Sequence, residues 1–221
     1  DWSSDVCSSD LGWDSYGTGV AAGVTVSFAG EGLGIGNGGK SWASGNYTGA
    51  GVNNGPGNNS EYIAFWAGNH TGRIHFSQPV VNPVMAVMSL GQGGDGASLW
   101  FGDESFDVVT GYIGGGWGGG QIWELPGGGV AGYTWDWKTE GNGVIRFNGI
   151  YQDIDWIISD DEHYAVFTIG FDSIAPASGA LRASSDIVAP SAYLSELTNN
   201  TRSVSYNGFT STNYGVKVGW A

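Results

Sequence analysis

The chain has 221 residues and a formal net charge of −14, with 41 glycines, 11 tryptophans and 7 lysines plus arginines. That charge repels a phosphate backbone and argues against nucleic acid as a partner. A hydrophobic fraction of 41% with 14% aromatics supplies enough apolar surface for a core and argues against global disorder.

The length fits one large β domain or two small ones. No apolar run reaches the length needed to cross a bilayer, and no signal peptide is visible. The opening stretch Asp1 to Leu11, DWSSDVCSSDL, resembles translated sequencing adapter. Without it the chain loses Cys7, its single cysteine, and also Asp1, Asp5 and Asp10, which takes the charge from −14 to −11. A cysteine-free chain suits an oxidising exterior.

Alternation of apolar and polar residues is the main signal for secondary structure. Gly23 to Phe28 puts Val24, Val26 and Phe28 on one face, with Thr25 and Ser27 on the other. Arg73 to Phe76 turns Ile74 and Phe76 inward, Arg73 and His75 outward. Val84 to Leu90 alternates less and reads as a strand buried on both faces. Val144 to Asn148 buries Ile145 and Phe147 and exposes Arg146. Tyr151 to Ile158 buries Ile154, Trp156 and Ile158 and exposes Asp153 and Asp155. His163 to Phe171 closes the series.

Turn chemistry separates these runs at Asn53 to Gly57, Gly91 to Gly96 and Glu140 to Gly143. The composition of Ala175 to Ser185 reads as a linker, and a short helix fits Ser191 to Leu197. At the far end, Tyr214, Val216, Val218 and Trp220 share one strand face. That strand either completes its own sheet or is donated to a neighbouring copy, where backbone pairing gives affinity and alternate side chains fill pockets. Short strands at this spacing predict an all-β antiparallel sandwich, jelly-roll-like. The expected organisation is 1–11 as artefact, 12–175 as the sandwich, and 176–221 as linker plus terminal strand.

Three stretches, taken in order, resemble a known family: YTGAGVNN from Tyr47 with EYIA from Glu61, HFSQPVVNPVMAVMSL from His75 to Leu90, and EGNGVIRFNGIYQDIDWIISDDEHYAVFTIGF from Glu140 to Phe171. They are similar to the extracellular domain of bacterial PEP-CTERM sorting-domain proteins, over roughly 45–175. The resemblance implies a β-sandwich, export, and a surface or matrix role. The family's tail carries a Pro-Glu-Pro signature, a membrane span and basic residues. Here Ile174-Ala175-Pro176 leads into a tail with none of these, so the sorting step is not implied.

The local candidate for ligand binding is Gly111 to Gly129, GYIGGGWGGGQIWELPGGG. Glycine lets a backbone approach a ligand closely, and Tyr112, Trp117 and Trp123 supply flat apolar faces with a polar edge that suit a sugar ring. The alternative is that these aromatics cap the end of the core. A second candidate is calcium at Asp153, Asp155, Asp160, Asp161 and Glu162, since Ca²⁺ takes several oxygen ligands. No EF-hand spacing is present, and a solvated acidic turn explains the same residues. Asp103, Glu104 and Asp107 form a second acidic run. Arg146 is placed to pair with Asp153 or Asp155 across adjacent strands.

No catalytic motif is found, and the expectation is a non-enzyme. Asp and Glu are plentiful, but nothing selects a glycosidase pair. His70, His75 and His163 come without a GxSxG elbow, and their spacing gives no metal pattern. GIGNGG at Gly34 to Gly39 lacks the GK[ST] ending of a phosphate loop, and the four Asn-x-Ser/Thr triplets are simplest as chance in such a chain. The functional expectation is therefore a secreted surface or matrix protein. Its partners would be copies of itself, through the strand carrying Tyr214 to Trp220, or an exopolysaccharide, through Tyr112, Trp117 and Trp123. No cofactor is expected other than calcium.

Overall fold

A computed structural model describes residues 13–14, 17–30, 34–36, 42, 47–53, 55–56, 60–65, 71–91, 97–110, 120–132, 140–158, 164–176, 204–206 and 209–211. Every regular element among them is a strand, so the all-β expectation holds. The second half of the chain's Gly-rich middle is not a loop. Residues 120–125 and 129–132 form strands, and Trp123 therefore sits in a sheet rather than in a flexible segment.

Fourteen strands make one mixed, mostly antiparallel sheet curled into a half-barrel. Its first half runs in space through β1 (Thr18–Ala21), β2 (Val24–Gly30), β5 (Thr71–Val81), β12 (Ile150–Ile158), β7 (Ala97–Trp100), β10 (Gly129–Gly132) and β9 (Gly120–Leu125). The second half continues through β11 (Gly141–Phe147), β6 (Val84–Leu90), β13 (Ala165–Gly170), β4 (Tyr62–Phe65) and β3 (Gly34–Gly36). β8 (Phe106–Thr110) pairs with β11, and β14 (Ser173–Ile174) pairs with β5. β15 (Val204–Tyr206) and β16 (Phe209–Ser211) form a separate hairpin. The two halves join through a short parallel contact, Gly141 beside Gly120 and Asn142 beside Gln121.

The main core lies inside the curl. Val24, Val26 and Phe28 meet Ile74, Ile154 and Trp156 from the first half and Met85, Val87, Ile145, Phe147 and Phe167 from the second. Phe28, Trp156 and Phe167 form an aromatic centre with ring separations of 5.2 to 5.7 Å, close enough for edge-to-face and stacked attraction. Of these, Val24, Val26, Phe28, Ile74, Ile145, Phe147, Ile154 and Trp156 are positions that period-2 alternation selects. Trp13 links the two ends of the sheet path without closing it. Its backbone bridges Gly19 of β1, its N–H donates to the Glu61 carboxylate just ahead of β4, and its ring is buried in the core.

The second half is apolar on its outer face as well. Ala86, Met88, Val144 and Val166 pack there under Trp42, Tyr47 and Val52, which come from the segment between β3 and β4. All seven residues of β6 are consequently buried, as its weak alternation implies. Trp42 packs edge-on to Tyr47 at 5.0 Å and donates its indole N–H to the Ser60 carbonyl at 3.1 Å.

Glu140 to Gly143, expected as a turn, instead leads into and opens β11, with a bulge between Gly141 and Gly143. A Cβ at Gly141 would sit 2.5 Å from the Gly132 Cα, so only glycine lets these backbones approach this closely.

Candidate functional site

Successive strands shuttle between the two halves, so nearly every connection crosses from one to the other at one of two ends. The two ends differ in chemistry. At the first, the connections β5–β6, β7–β8, β11–β12 and β13–β14 are tied by one polar network around Arg146. Its guanidinium donates to Asn148 Oδ1 at 3.0 Å and to Asp172 Oδ2 at 3.3 Å. Asn82 Nδ2 donates to the same carboxylate at 2.7 Å, and Asn82 Oδ1 accepts from the Gly149 N–H at 2.9 Å. Asn148 Nδ2 donates to Asp107 at 2.9 Å, and the Asn148 N–H donates to the Ser105 carbonyl at 2.7 Å.

Asn82 holds φ = 46° here, a conformation that asparagine tolerates better than most residues. Arg146 therefore does not pair with Asp153 or Asp155. The strand order puts β6 and β8, not β12, beside β11, although β11 and β12 are consecutive. The Asn148-Gly149 dipeptide turns the chain from one half to the other instead of closing a hairpin.

Asp153 and Asp155 do face outward, and both are already engaged. Arg73 clasps Asp155 through Nε at 2.5 Å and Nη2 at 2.8 Å, and His75 Nδ1 lies 2.9 Å from Asp153 Oδ1. Cross-strand register makes these pairs, since Asp155 opposes Arg73 and Asp153 opposes His75. The candidate calcium ligands Asp160, Asp161 and Glu162 lie outside the described residues, as do His70 and His163. No group of three or more metal-ligating side chains occurs among the described residues. The second acidic run is split: Glu104 is buried, whereas Asp107 accepts from Asn148.

At the other end lie the described residues that flank the stretches in which the sequence concentrates glycine, aromatics and acids. Phe65 pairs with Ala165 and Thr71 with Ile157, so the described residues flanking 66–70 and 159–163 lie in register in two strand pairs. Leu90 pairs with Gly141, Gly141 with Gly120, and Gly132 with both Ala97 and Ile122. The described residues flanking 92–96, 111–119 and 133–139 thus converge at one corner.

Trp123 lies a few residues inside that corner, half-buried on the outward side of β9, while its neighbour Ile122 points into the core. Beside it, Ser98, Trp100 and Ala131 line the outward side of β7 and β10, and Trp100 donates its indole N–H to Ser98 Oγ at 2.8 Å. Tyr112 and Trp117 lie outside the described residues, as do Tyr214, Val216, Val218 and Trp220.

A second polar group at this corner was not legible in the sequence. Asn142 is buried where β9 meets β11. Its Oδ1 accepts from the Ser89 N–H at 3.0 Å, and its Nδ2 donates to the Glu140 carbonyl at 2.9 Å. Ser89 Oγ donates to the Glu140 carboxylate, and Ser89 holds φ = 68°. Burial raises the Glu140 carboxyl above its ordinary value, and the Ser89 hydrogen bond opposes that only in part.

A carboxyl whose folded-state pKa is raised binds more protons folded than unfolded in the window just above its ordinary value. Stability therefore falls as pH rises through that window. Glu140→Gln is expected to melt higher than the parent at pH 7 and equally at pH 3, read as the difference in Tm between the two proteins across pH. A constant difference at all pH values would show that the carboxyl charge is not the cause.

No family model, curated protein or solved structure matches this chain.

Proposed function

We propose that this protein is a secreted, non-catalytic adhesive component of a bacterial surface or extracellular matrix that holds an exopolysaccharide at its Gly-rich end. The observation that carries the reading is the convergence at one corner of the described residues flanking 92–96, 111–119 and 133–139, beside half-buried Trp123. Flat aromatic faces with polar edges stack on sugar rings, and glycine lets the backbone approach them. The opposite end, laced by Arg146, Asp172, Asn82 and Asn148, reads as a structural tie.

Export and a matrix role rest on the resemblance of 45–175 to PEP-CTERM sorting-domain proteins. In fold terms we read the curl as jelly-roll-like, because consecutive strands alternate between two halves that share one core. Binding is expected to be weak per site, since ordering a Gly-rich segment offsets contact energy. Replacing Trp117 and Trp123 together with alanine is expected to abolish retention on an exopolysaccharide column while leaving the melting curve within a few degrees of the parent. Undiminished retention would end the reading.

A second reading is self-assembly into filaments. It is favoured by the open path of the sheet, which ends on β1 and β3, with Val20 of β1 56% exposed. Deleting 208–221 is then expected to convert polymers into soluble monomers, seen by electron microscopy and light scattering. Unchanged assembly would exclude the terminal strand as donor.

A further inference from the structure

The buried Ser89, Glu140 and Asn142 group takes no part in holding a polysaccharide and carries chemistry of its own. We propose that Ser89 and Asn142 join through an ester, with Glu140 as the base, so that β6 and β11 become covalently linked. A disulfide cannot supply such a link, because the chain's single cysteine is Cys7.

The bulge between the two strands brings the reactants together. Between the pairs Leu90–Gly141 and Val87–Gly143, two residues of β6, Met88 and Ser89, oppose one residue of β11, Asn142. A bulge of this kind re-aims a side chain. Ser89 takes φ = 68° there, a conformation that costs a non-glycine residue energy and recurs at functional sites. It thereby reaches two groups at once. Its Oγ–H donates to the Glu140 carboxylate, and its N–H donates to Asn142 Oδ1 at 3.0 Å. The Asn142 amide is held from its other side, where Nδ2 donates to the Glu140 carbonyl at 2.9 Å.

These contacts give each group one role. The Glu140 carboxylate takes the proton of Ser89 Oγ, and burial makes that carboxylate a stronger base than an exposed one. Oγ attacks Asn142 Cγ. Negative charge collects on Oδ1, which the Ser89 N–H already holds, as the backbone N–H of a nucleophilic serine does in an oxyanion hole. Glu140 then returns the proton to Nδ2, the Cγ–N bond breaks, and ammonia leaves. The Oγ–Cγ ester replaces the amide bond with no change in oxidation state and no further reactant. Ser89 and Asn142 are 1% and 2% exposed, so bulk water neither competes with Oγ nor reaches the ester to hydrolyse it.

The two residues lie 53 apart in the chain, so the link restricts the unfolded state as a disulfide across a long loop does. The test is the intact mass of the full chain, followed by digestion. The folded parent is expected to be lighter than its sequence by one ammonia, about 17 Da, and to yield a pair of peptides joined at Ser89 and Asn142. Mild alkali, which hydrolyses an ester and spares amides, should separate that pair and leave aspartate at 142. Ser89→Ala should keep its full mass and melt below the parent. Glu140→Gln should slow the loss of ammonia by about a hundredfold or more, the usual effect of removing a general base. In a linked chain, the pH comparison of Glu140→Gln is made on Ser89→Ala as the common parent, where no ester forms in either protein.

A folded parent at full mass, with separate Ser89 and Asn142 peptides, would overturn the proposal without recourse to any variant. Loss of ammonia that persists in Ser89→Ala would also overturn it, because Asn142 precedes Gly143 and its amide can close on the Gly143 nitrogen. Aspartate at 142 beside a free Ser89 hydroxyl, before any alkali, would show that water took the amide in place of Oγ, and the proposal fails. Loss of one water, about 18 Da, would put the bond between Ser89 and the Glu140 carboxyl, and the proposal fails there too. Polysaccharide retention is measured separately, so either reading can fall while the other stands.

Discussion

Trp156→Ala is expected to cost about 3–5 kcal/mol, the usual range for truncating a buried aromatic. Trp156 is 2% exposed and sits where the two halves of the sheet meet, 5.2 Å from the Phe167 ring and 5.7 Å from Phe28. Its ring also occupies the space above Gly72, where a Cβ would overlap the indole. The void cannot close by collapse, because Gly72 has no side chain to extend into it and Phe28 and Phe167 are fixed by their own strands. Against a typical total of roughly 5–15 kcal/mol, that loss leaves little margin. At about 2–4 °C per kcal/mol for a domain of this size, Tm should drop by about 6 to 20 °C. Urea unfolding of Trp156→Ala and Trp156→Phe measures it, with the phenylalanine variant losing less than half as much. If alanine costs under about 1 kcal/mol, the two halves do not share this centre.

That core was legible because strand side chains alternate with period 2. Val24, Val26, Phe28, Ile74, Ile145, Phe147, Ile154 and Trp156 could be assigned inward from sequence, and all are buried. What alternation cannot carry is which strands lie side by side. Arg146 was matched to Asp153 or Asp155 because β11 and β12 are consecutive. The chain crosses to the other half at Asn148-Gly149, and Asp172, 26 residues away, becomes the partner. The second apolar layer was invisible for a related reason. Trp42, Tyr47 and Val52 belong to irregular chain with no period, and only the outer faces of β6 and β13 show what they cover. β9 lies inside the Gly-rich stretch Gly111 to Gly129, where glycine masks strand propensity, although Ile122 points into the core.

The candidate site divides in the same way. Trp123, nominated as a sugar-stacking aromatic in a Gly-rich stretch, lies half-buried in a strand. The Ser89, Asn142 and Glu140 group depends on three segments meeting, which no local pattern encodes.

Gly132→Ala should act on fold and ligand end together. A Cβ there would overlap the Leu90 carbonyl oxygen and lie 2.7 Å from the Leu90 Cβ and 2.8 Å from its carbonyl carbon. Most of these atoms are main chain, so a flexible side chain cannot yield, and either β6 or β10 must move. Gly91, at φ = 78°, packs against the Gly132 carbonyl, and Gly141 packs against the Gly132 Cα. Displacement at one strand is therefore passed to the start of β11 and to its parallel contact with β9.

Overpacking of this kind costs about 1–3 kcal/mol, and more where backbone is involved. The expected result is a lower urea midpoint and, under the proposed function, loss of polysaccharide retention. A core variant such as Trp156→Phe, matched for stability loss, should keep its retention. Comparing the two at a temperature where both are folded separates damage to the corner from general destabilisation. If Gly132→Ala binds normally at that temperature, the glycine corner does not position the proposed ligand-binding end.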